Sequence, residues 1–373
     1  MNYKYEAVVI GAGPAGAACG ITLQQKGVKH CLVDKSVFPR SKTCAGLVTG
    51  KTFRLIRSLF GDDYSDSLFC AVSSSVRLFD RTKLLVDAPI TKSVRLVNRG
   101  EFDNALVERY RALGGELREG ERGLKIDYEN NRVILSNGDE LSYNTLIFAD
   151  GALSMSHKLL DVPRDRLAFG IEAYVPSSKL STDSVDLCFG YLETGYVWIF
   201  PHGDTVCVGV ADRFTRGEDY RAILSEVLSD AGVEPTEAKF IGAFLPYGYL
   251  IPQKKLPQNV LLTGDAGGFT DPISGEGLYM ALQTGIYAGE AVSEKSPKAK
   301  YLGSVKPLEQ IVKDGSKVQK LFYTPAIHEK LLGRINGNKK AVTFYFDNQV
   351  EEYKYTYRQT AKLYRGYKKS RGG

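Results

Sequence analysis

Apolar residues come in three kinds of pattern along this chain. Val8-Val9-Ile10 and Cys31-Leu32-Val33 are short continuous runs. They bracket residues 14–26, where small and apolar residues repeat at helical spacing up to Gly27. Thr145 to Gly151 and Asn259 to Thr263 have the same continuous character. Such runs predict strands of a parallel sheet buried on both faces. In the second pattern the period drops to two. Val76-Arg77-Leu78-Phe79 and Lys83-Leu84-Leu85-Val86 predict a hairpin turning at Asp80-Arg81. A meander with turns at Asn130-Asn131 and Asn137-Gly138 follows further on. Residues 168–250 predict strands at 170–175, 185–189, 196–200, 205–210 and 240–245, interrupted by one amphipathic helix near 218–229. This reads as a separate antiparallel sheet whose face can cover a ligand.

The third pattern is helical. A helix opens near Arg99, presents Phe102, Ala105, Leu106, Tyr110 and Leu113 on one face, and stops at Gly114-Gly115. Another runs from Leu278 to about Val292, and residues from about 298 onward are helical with short breaks. The expected fold class is therefore α/β. A Rossmann-type nucleotide-binding domain (1–70, 96–165 and 255–295) carries an inserted antiparallel β-sheet substrate domain (71–95 and 166–254). A C-terminal helical region (296–373) follows.

Bulk chemistry changes this picture little. The net charge of +6 is modest and concentrated near the C-terminus, which argues against nucleic acid as a partner. Six scattered cysteines show no CxxC or zinc spacing, and the four histidines are isolated, so no metal site is expected. No run approaches the roughly twenty apolar residues of a membrane span. The first strand opens close to Met1 with no leader-like segment before it, so a cytoplasmic location is expected. The last segment sets Tyr353, Tyr357, Tyr364 and Tyr367 beside Lys354, Arg358, Lys362, Arg365 and Lys369 at helical spacing. Such a helix either lies on an anionic bilayer as a peripheral contact or packs its tyrosines on its own protein.

Candidate chemistry starts where the first strand ends. Gly11-Ala12-Gly13-Pro14-Ala15-Gly16 lies between strand and helix, and Asp34 closes the next strand. This is the dinucleotide-binding βαβ unit. Gly11 allows the turn, Gly13 lets backbone approach a pyrophosphate, and Gly16 lets helix and strand pack closely. Free N–H groups at the helix N-terminus face the phosphates, and Asp34 stands where an acid accepts from ribose hydroxyls. A loop rich in small and cationic residues follows, Phe38-Pro39-Arg40-Ser41-Lys42-Thr43-Cys44-Ala45-Gly46-Leu47. A second glycine-bearing segment, Gly264-Asp265 through Asp271-Pro272 to Gly275-Glu276-Gly277, feeds the helix at Leu278 and forms another anion-friendly N-terminus. The densest aromatic strand, Tyr196 to Pro201, holds the single tryptophan, Trp198.

Together these motifs, in order over residues 5–292, resemble the flavoprotein geranylgeranyl reductase family within the para-hydroxybenzoate hydroxylase-like superfamily. Arg99 with Phe102-Asp103, and Ala149-Asp150-Gly151, complete the match. The resemblance implies FAD. By position it implies that Gly11, Gly13, Ala15 and Gly16 take the pyrophosphate, and that Asp34 with Lys35 takes the adenosine ribose. Arg40, Cys44, Ala45, Leu47, Arg99 and Asp150 would line the cofactor, and Gly123 would lie near adenine. Gly264 and Asp265 would meet the ribityl chain. Gly275, Gly277 and Leu278 would put a helix N-terminus at the pyrimidine edge of the flavin. Tyr196, Trp198, Phe200, Pro201 and Tyr247 would face substrate. The sequence departs from the family at Ala45, where glycine is usual.

The activity implied is saturation of carbon–carbon double bonds in an isoprenoid or prenyl lipid by hydride from reduced flavin. Cys44 is the candidate proton source, with Tyr247 and Tyr249 as alternatives. NADPH or a small redox protein would be the reductant, since no second GxGxxG lies between residues 150 and 260. The lack of a cysteine pair near the flavin argues against a disulfide reductase. Two other readings share the pattern: an FAD monooxygenase or halogenase acting on an aromatic substrate, and an electron carrier to quinone.

Overall fold

The computed structural model describes residues 2–214, 217–235 and 238–353, together with Gln359 and Lys362. Two sheets organise them. The first is built on β1 (Asn2–Ile10), with β2 (His30–Asp34) and β9 (Glu140–Phe148) parallel on either side. β6 (Leu117–Glu119) extends it beyond β2, and β15 (Val260–Leu262) pairs with the C-terminal half of β9. The other half of β9 takes the antiparallel meander of β8 (Arg132–Leu135) and β7 (Gly123–Asp127). The continuous apolar runs are buried as expected: Val8, Val9, Leu32, Leu146, Ile147 and Leu261 are inaccessible to solvent.

Helices α1 (Pro14–Gln25), α3 (Arg99–Ala112) and α5 (Leu278–Val292) cover this sheet. α1 and α5 lie almost backbone to backbone. A Cβ on Gly285 would stand 2.1 Å from the Ala15 carbonyl oxygen, and one on Gly289 would stand 2.7 Å from Thr22 Cβ. The two glycines are four residues apart and so share one helix face, which lets α5 bring its N-terminus beside that of α1.

The second sheet has eight strands in the order β14-β10-β13-β12-β11-β4-β5-β3. They are β14 (Ile241–Pro246), β10 (Leu167–Pro176), β13 (Thr205–Arg213), β12 (Tyr196–His202), β11 (Val185–Phe189), β4 (Ala71–Asp80), β5 (Lys83–Leu96) and β3 (Leu47–Val48). The second sheet is antiparallel as expected, with two refinements. One pairing within it is parallel, that of β11 with β4. The predicted hairpin supplies its sixth and seventh strands, and Arg77 crosses to Asp186 at 2.6 Å to tie that junction. Leu47–Val48, placed by its sequence position with the nucleotide unit, is an edge strand of this second sheet. One face packs on α4 (Tyr220–Asp230) through Ile171, Ala173, Val208, Val210, Leu224 and Leu228. The other face is left for the site.

The chain then runs through α6 (Pro297–Phe322), α7 (Pro325–Ile335) and α8 (Lys339–Tyr345). No helix among the described residues is long and apolar enough to cross a membrane. Tyr353 does not stand on an exposed helical row: it folds back so that its hydroxyl donates to Asp271 at 3.0 Å, with Lys51 4.1 Å above its ring. Lys362 is exposed; the other tyrosines and cations of that row lie outside the described residues.

Candidate functional site

The turn after β1 is shaped by what its glycines lack. Gly11 has φ +101°, and a Cβ there would meet the Ala149 carbonyl at 2.4 Å. A Cβ on Gly16 would lie 1.8 Å from the Gly11 oxygen, so α1 begins flush against the sheet. Gly13 is its N-cap, with no side chain to bond the first-turn N–H groups. Those donors remain available to an anion. Asp34 steadies the turn, accepting from Ala12 N–H at 2.7 Å and from Ser36 N–H at 2.8 Å. Each oxygen keeps a lone pair for a further donor.

Two cations flank this turn, held by one acid. Asp103 is inaccessible to solvent and binds Arg99 at 2.9 Å and Arg40 at 3.3 Å. The Arg40 guanidinium lies 3.2 Å from where a Gly13 Cβ would be. Burial alone would lower the Arg99 pKa, but Asp103 outweighs it, and the guanidinium pKa sits above its usual range.

The second glycine segment arrives at the same place. A Cβ on Gly264 would stand 3.2 Å from Ala15 Cβ, so the two turns, about 250 residues apart in sequence, are neighbours. Asp265 receives the Thr270 hydroxyl at 3.1 Å and lies 3.3 Å from where a Gly277 Cβ would be, beside the uncapped N-terminus of α5. Burial raises its pKa. Glu276 turns away into a polar cluster, paired with Lys51 at 2.7 Å and accepting from Thr49 at 2.8 Å.

From these turns a cavity of about 2230 Å³ continues beneath the second sheet. Single small-molecule pockets reach roughly 1,000 Å³, so a dinucleotide leaves room for a second ligand. The far part is apolar. Trp198 lies flat across Gly209, its Cζ2 atom 2.2 Å from where a Cβ would stand. Tyr196 packs edge to face with Trp198, and its hydroxyl donates to the Ser274 carbonyl, pinning β12 to the second glycine segment. Leu78, Leu187, Phe189 and Phe200 extend this floor.

Most residues expected at the site do line this one cavity: Gly11, Gly13, Ala15, Asp34, Lys35, Arg40, Cys44, Ala45, Leu47, Arg99, Gly123, Asp150, Asp265, Gly275, Gly277, Leu278, Tyr196, Trp198, Phe200 and Tyr247. Three are absent from its lining. Gly16 and Gly264 serve the close packing just described, and Pro201 points to the other side of β12, as alternation after Phe200 requires. Tyr249 is also outside the wall; its ring lies under Arg166.

Two contributors were missed. The roof of the apolar part comes from the C-terminal helices, through Val318, Phe322, Ile327, Leu331, Ile335 and Phe346. The i, i+4 spacing of 318/322 and 327/331/335 was the available signal. The other is Glu172 on β10, inaccessible to solvent, which accepts from the Cys44 N–H at 2.9 Å. An acid alternating with small residues on a strand gives no such indication.

The residues present suit FAD. They provide two uncapped helix N-termini, a Gly13 approach flanked by guanidinium, an acid at the end of β2, and, in the cavity wall, a buried Asp150 oxygen with no hydrogen-bond partner among the described residues. Residues 5–182 match the model of the pyridine nucleotide-disulphide oxidoreductase family. The chain is 31% identical to geranylgeranyl diphosphate reductase of Rhodobacter capsulatus, over 77% of this chain and 75% of that protein. It is 28% identical to digeranylgeranylglycerophospholipid reductase of Methanococcus aeolicus, over 79% and 78%. A solved geranylgeranyl bacteriochlorophyll reductase-like protein from Thermoplasma acidophilum superposes with a TM-score of 0.79 at 15% identity, covering 97% of this chain and 99% of that one. With the paired glycine turns and the Trp198 floor, these likenesses place the chain in the geranylgeranyl reductase family of FAD-dependent oxidoreductases.

Proposed function

We propose that this enzyme reduces carbon–carbon double bonds of a prenyl chain carried on a lipid or related small molecule. One observation carries the reading: an apolar chamber, floored by Trp198 and roofed by α6 to α8, opens into the same cavity as the two glycine turns. The names of the relatives above support the same substrate class.

Saturating an alkene takes up a hydride and a proton, and reduced flavin supplies the hydride. The chain's residues arrange the rest. First-turn N–H groups of α1 and the Arg40 guanidinium would bind the pyrophosphate. Asp34 and Asp265 would take ribose and ribityl hydroxyls. The positive end of the α5 dipole would favour negative charge on the reduced flavin. The apolar chamber excludes water from the reacting carbons. Cys44 in the cavity wall is the proposed proton source, with Tyr247 as the alternative. NADPH or a small redox protein is the proposed reductant, and contact with a membrane surface through the segment after 353 remains part of the proposal.

The monooxygenase and electron-carrier readings share the fold, and nothing in the chamber's chemistry favours them. The test is anaerobic incubation of dithionite-reduced enzyme with prenyl lipids, read by mass. A gain of about two mass units per bond, the mass of two hydrogens, is the expected result. Flavin that reoxidises only in air overturns the reading.

A further inference from the structure

Glu276 stands where its charge would work against the site. It precedes Gly277, the N-cap of α5, whose first-turn N–H groups have no side-chain cap. A helix N-terminus carries roughly half a positive charge, and a carboxylate beside it offsets that field. Two more acids already lie near this end. Asp265 is 3.3 Å from where a Gly277 Cβ would be. Asp271 is inaccessible to solvent and accepts from the Ile273 N–H at 2.8 Å and the Tyr353 hydroxyl at 3.0 Å. A third carboxylate left uncompensated here would outweigh the dipole.

Lys51, on the first turn of α2 (Gly50–Phe60), supplies the compensation. Its ammonium lies 2.7 Å from Glu276 Oε2, and the two side chains are only 3% and 9% exposed. The ammonium donates to Thr49 Oγ1 at 3.1 Å and to the Val350 carbonyl. Oε2 accepts no hydrogen bond among the described residues, so its contact with Lys51 is one of charge. Oε1 accepts from the Thr49 and Thr52 hydroxyls at 2.8 and 3.2 Å, which holds the carboxylate on the α2 side. The Tyr353 and Tyr279 rings lie 4.1 and 5.4 Å from the ammonium. Among the described residues no other cation makes an ion pair with Glu276. Burying both charges is costly, and two apolar residues of this size would fill the space at least as well. Packing alone does not call for the pair.

We propose that Lys51 is a positioning residue for the cofactor, acting through Glu276. It holds that carboxylate and balances its charge, so that the positive end of α5 acts undiminished on bound flavin and raises its reduction potential. This rests on the reading that the N-terminus of α5 faces the flavin.

The test reads midpoint potentials of the flavin-loaded protein, by anaerobic titration against dyes of known potential. Glu351, on the tail beside Lys51, is pushed up to about pKa 7 by burial, so every variant is measured near about pH 8.5. Lys51→Met leaves Glu276 uncompensated. At a fixed potential its ratio of reduced to oxidised flavin should fall about tenfold, which is about 30 mV for a two-electron couple. Glu276→Gln keeps the acceptor for Thr49 and leaves the lysine charge in place, so its ratio should rise by about the same factor. Lys51→Met combined with Glu276→Gln restores the balance and should return to within about threefold of the native ratio. A merely structural pair predicts the opposite for the combination, which would then be the most perturbed of the three. That result, or potentials unchanged in both single variants, overturns the proposal. If Lys51→Met does not retain flavin, Glu276→Gln decides: a raised potential supports the proposal, and an unchanged or lowered one overturns it. A native protein that takes up no flavin overturns the cofactor reading and this proposal together. No prenyl lipid enters these titrations, so their outcome is separate from that of the substrate test.

Discussion

The cofactor groove and the apolar chamber share one cavity but are built by opposite means. The groove is made of backbone: Gly11, Gly13 and Gly16 remove side chains so that N–H groups and helix ends reach a ligand. The chamber is made of side chains from β4, β11, β12 and α6 to α8, which no local segment brings together. Each region nevertheless depends on a glycine, and the two glycines do different work. Gly13 leaves the first turn of α1 open beside the Arg40 guanidinium, whereas Gly209 clears a bed for an indole. The first is read off a short motif; the second has meaning only once Trp198 is placed above it.

That contrast can be broken experimentally. The largest effect expected is from Gly13→Val, which blocks pyrophosphate approach. It should purify colourless and bind FAD at least about a hundredfold more weakly. Normal flavin absorbance would show that the groove does not depend on bare backbone. Gly209→Ala pushes against an indole 2.2 Å away. It should keep its flavin and lose about tenfold or more in prenyl reduction. Loss of flavin in this variant would mean that the two regions are one structural unit. Leu331→Asp puts a charge into the chamber roof. It should raise KM for a prenyl substrate about tenfold, since burying one such group costs at least 1–2 kcal/mol, again with flavin retained.

A separate effect, on stability instead of activity, concerns the segment that closes the chamber. Glu351 is inaccessible to solvent, accepts from Gly50 N–H at 2.6 Å, and is pushed up to about pKa 7 by burial, against the favourable effects of Gly50 and Lys51. An acid whose pKa is higher folded than unfolded stabilises most below its unfolded pKa, roughly 4.3. That stability is lost as pH rises toward 7. The native protein should lose on the order of 2 kcal/mol between about pH 4.5 and 7.5 relative to Glu351→Gln, visible as a converging Tm difference. A constant difference across that range would assign Glu351 no titration of its own.

Legibility followed the range of the interactions. Strand β1, the turn, helix α1 and Asp34 lie within thirty-odd consecutive positions and are fixed by local sterics and burial. The helix at Leu278–Val292 was legible for the same reason, with glycine before it and continuous apolar character within. The parallel junction of β11 with β4 was not, because pairing partners about 110 residues apart leave no local trace. Glu172 escaped notice for a related reason: its hydrogen-bond donor is a loop residue 128 positions away.

The chain alone determined the glycine turn, the acid at the end of β2 and the alternation that makes two sheets, because backbone geometry and burial act over a few residues. Only the tertiary structure decided that Gly264 stands against Ala15, that Trp198 rests on Gly209, and that α6 to α8 roof the chamber. Those arrangements depend on which surfaces meet when the core closes, and the packing of distant segments is not written in any one of them.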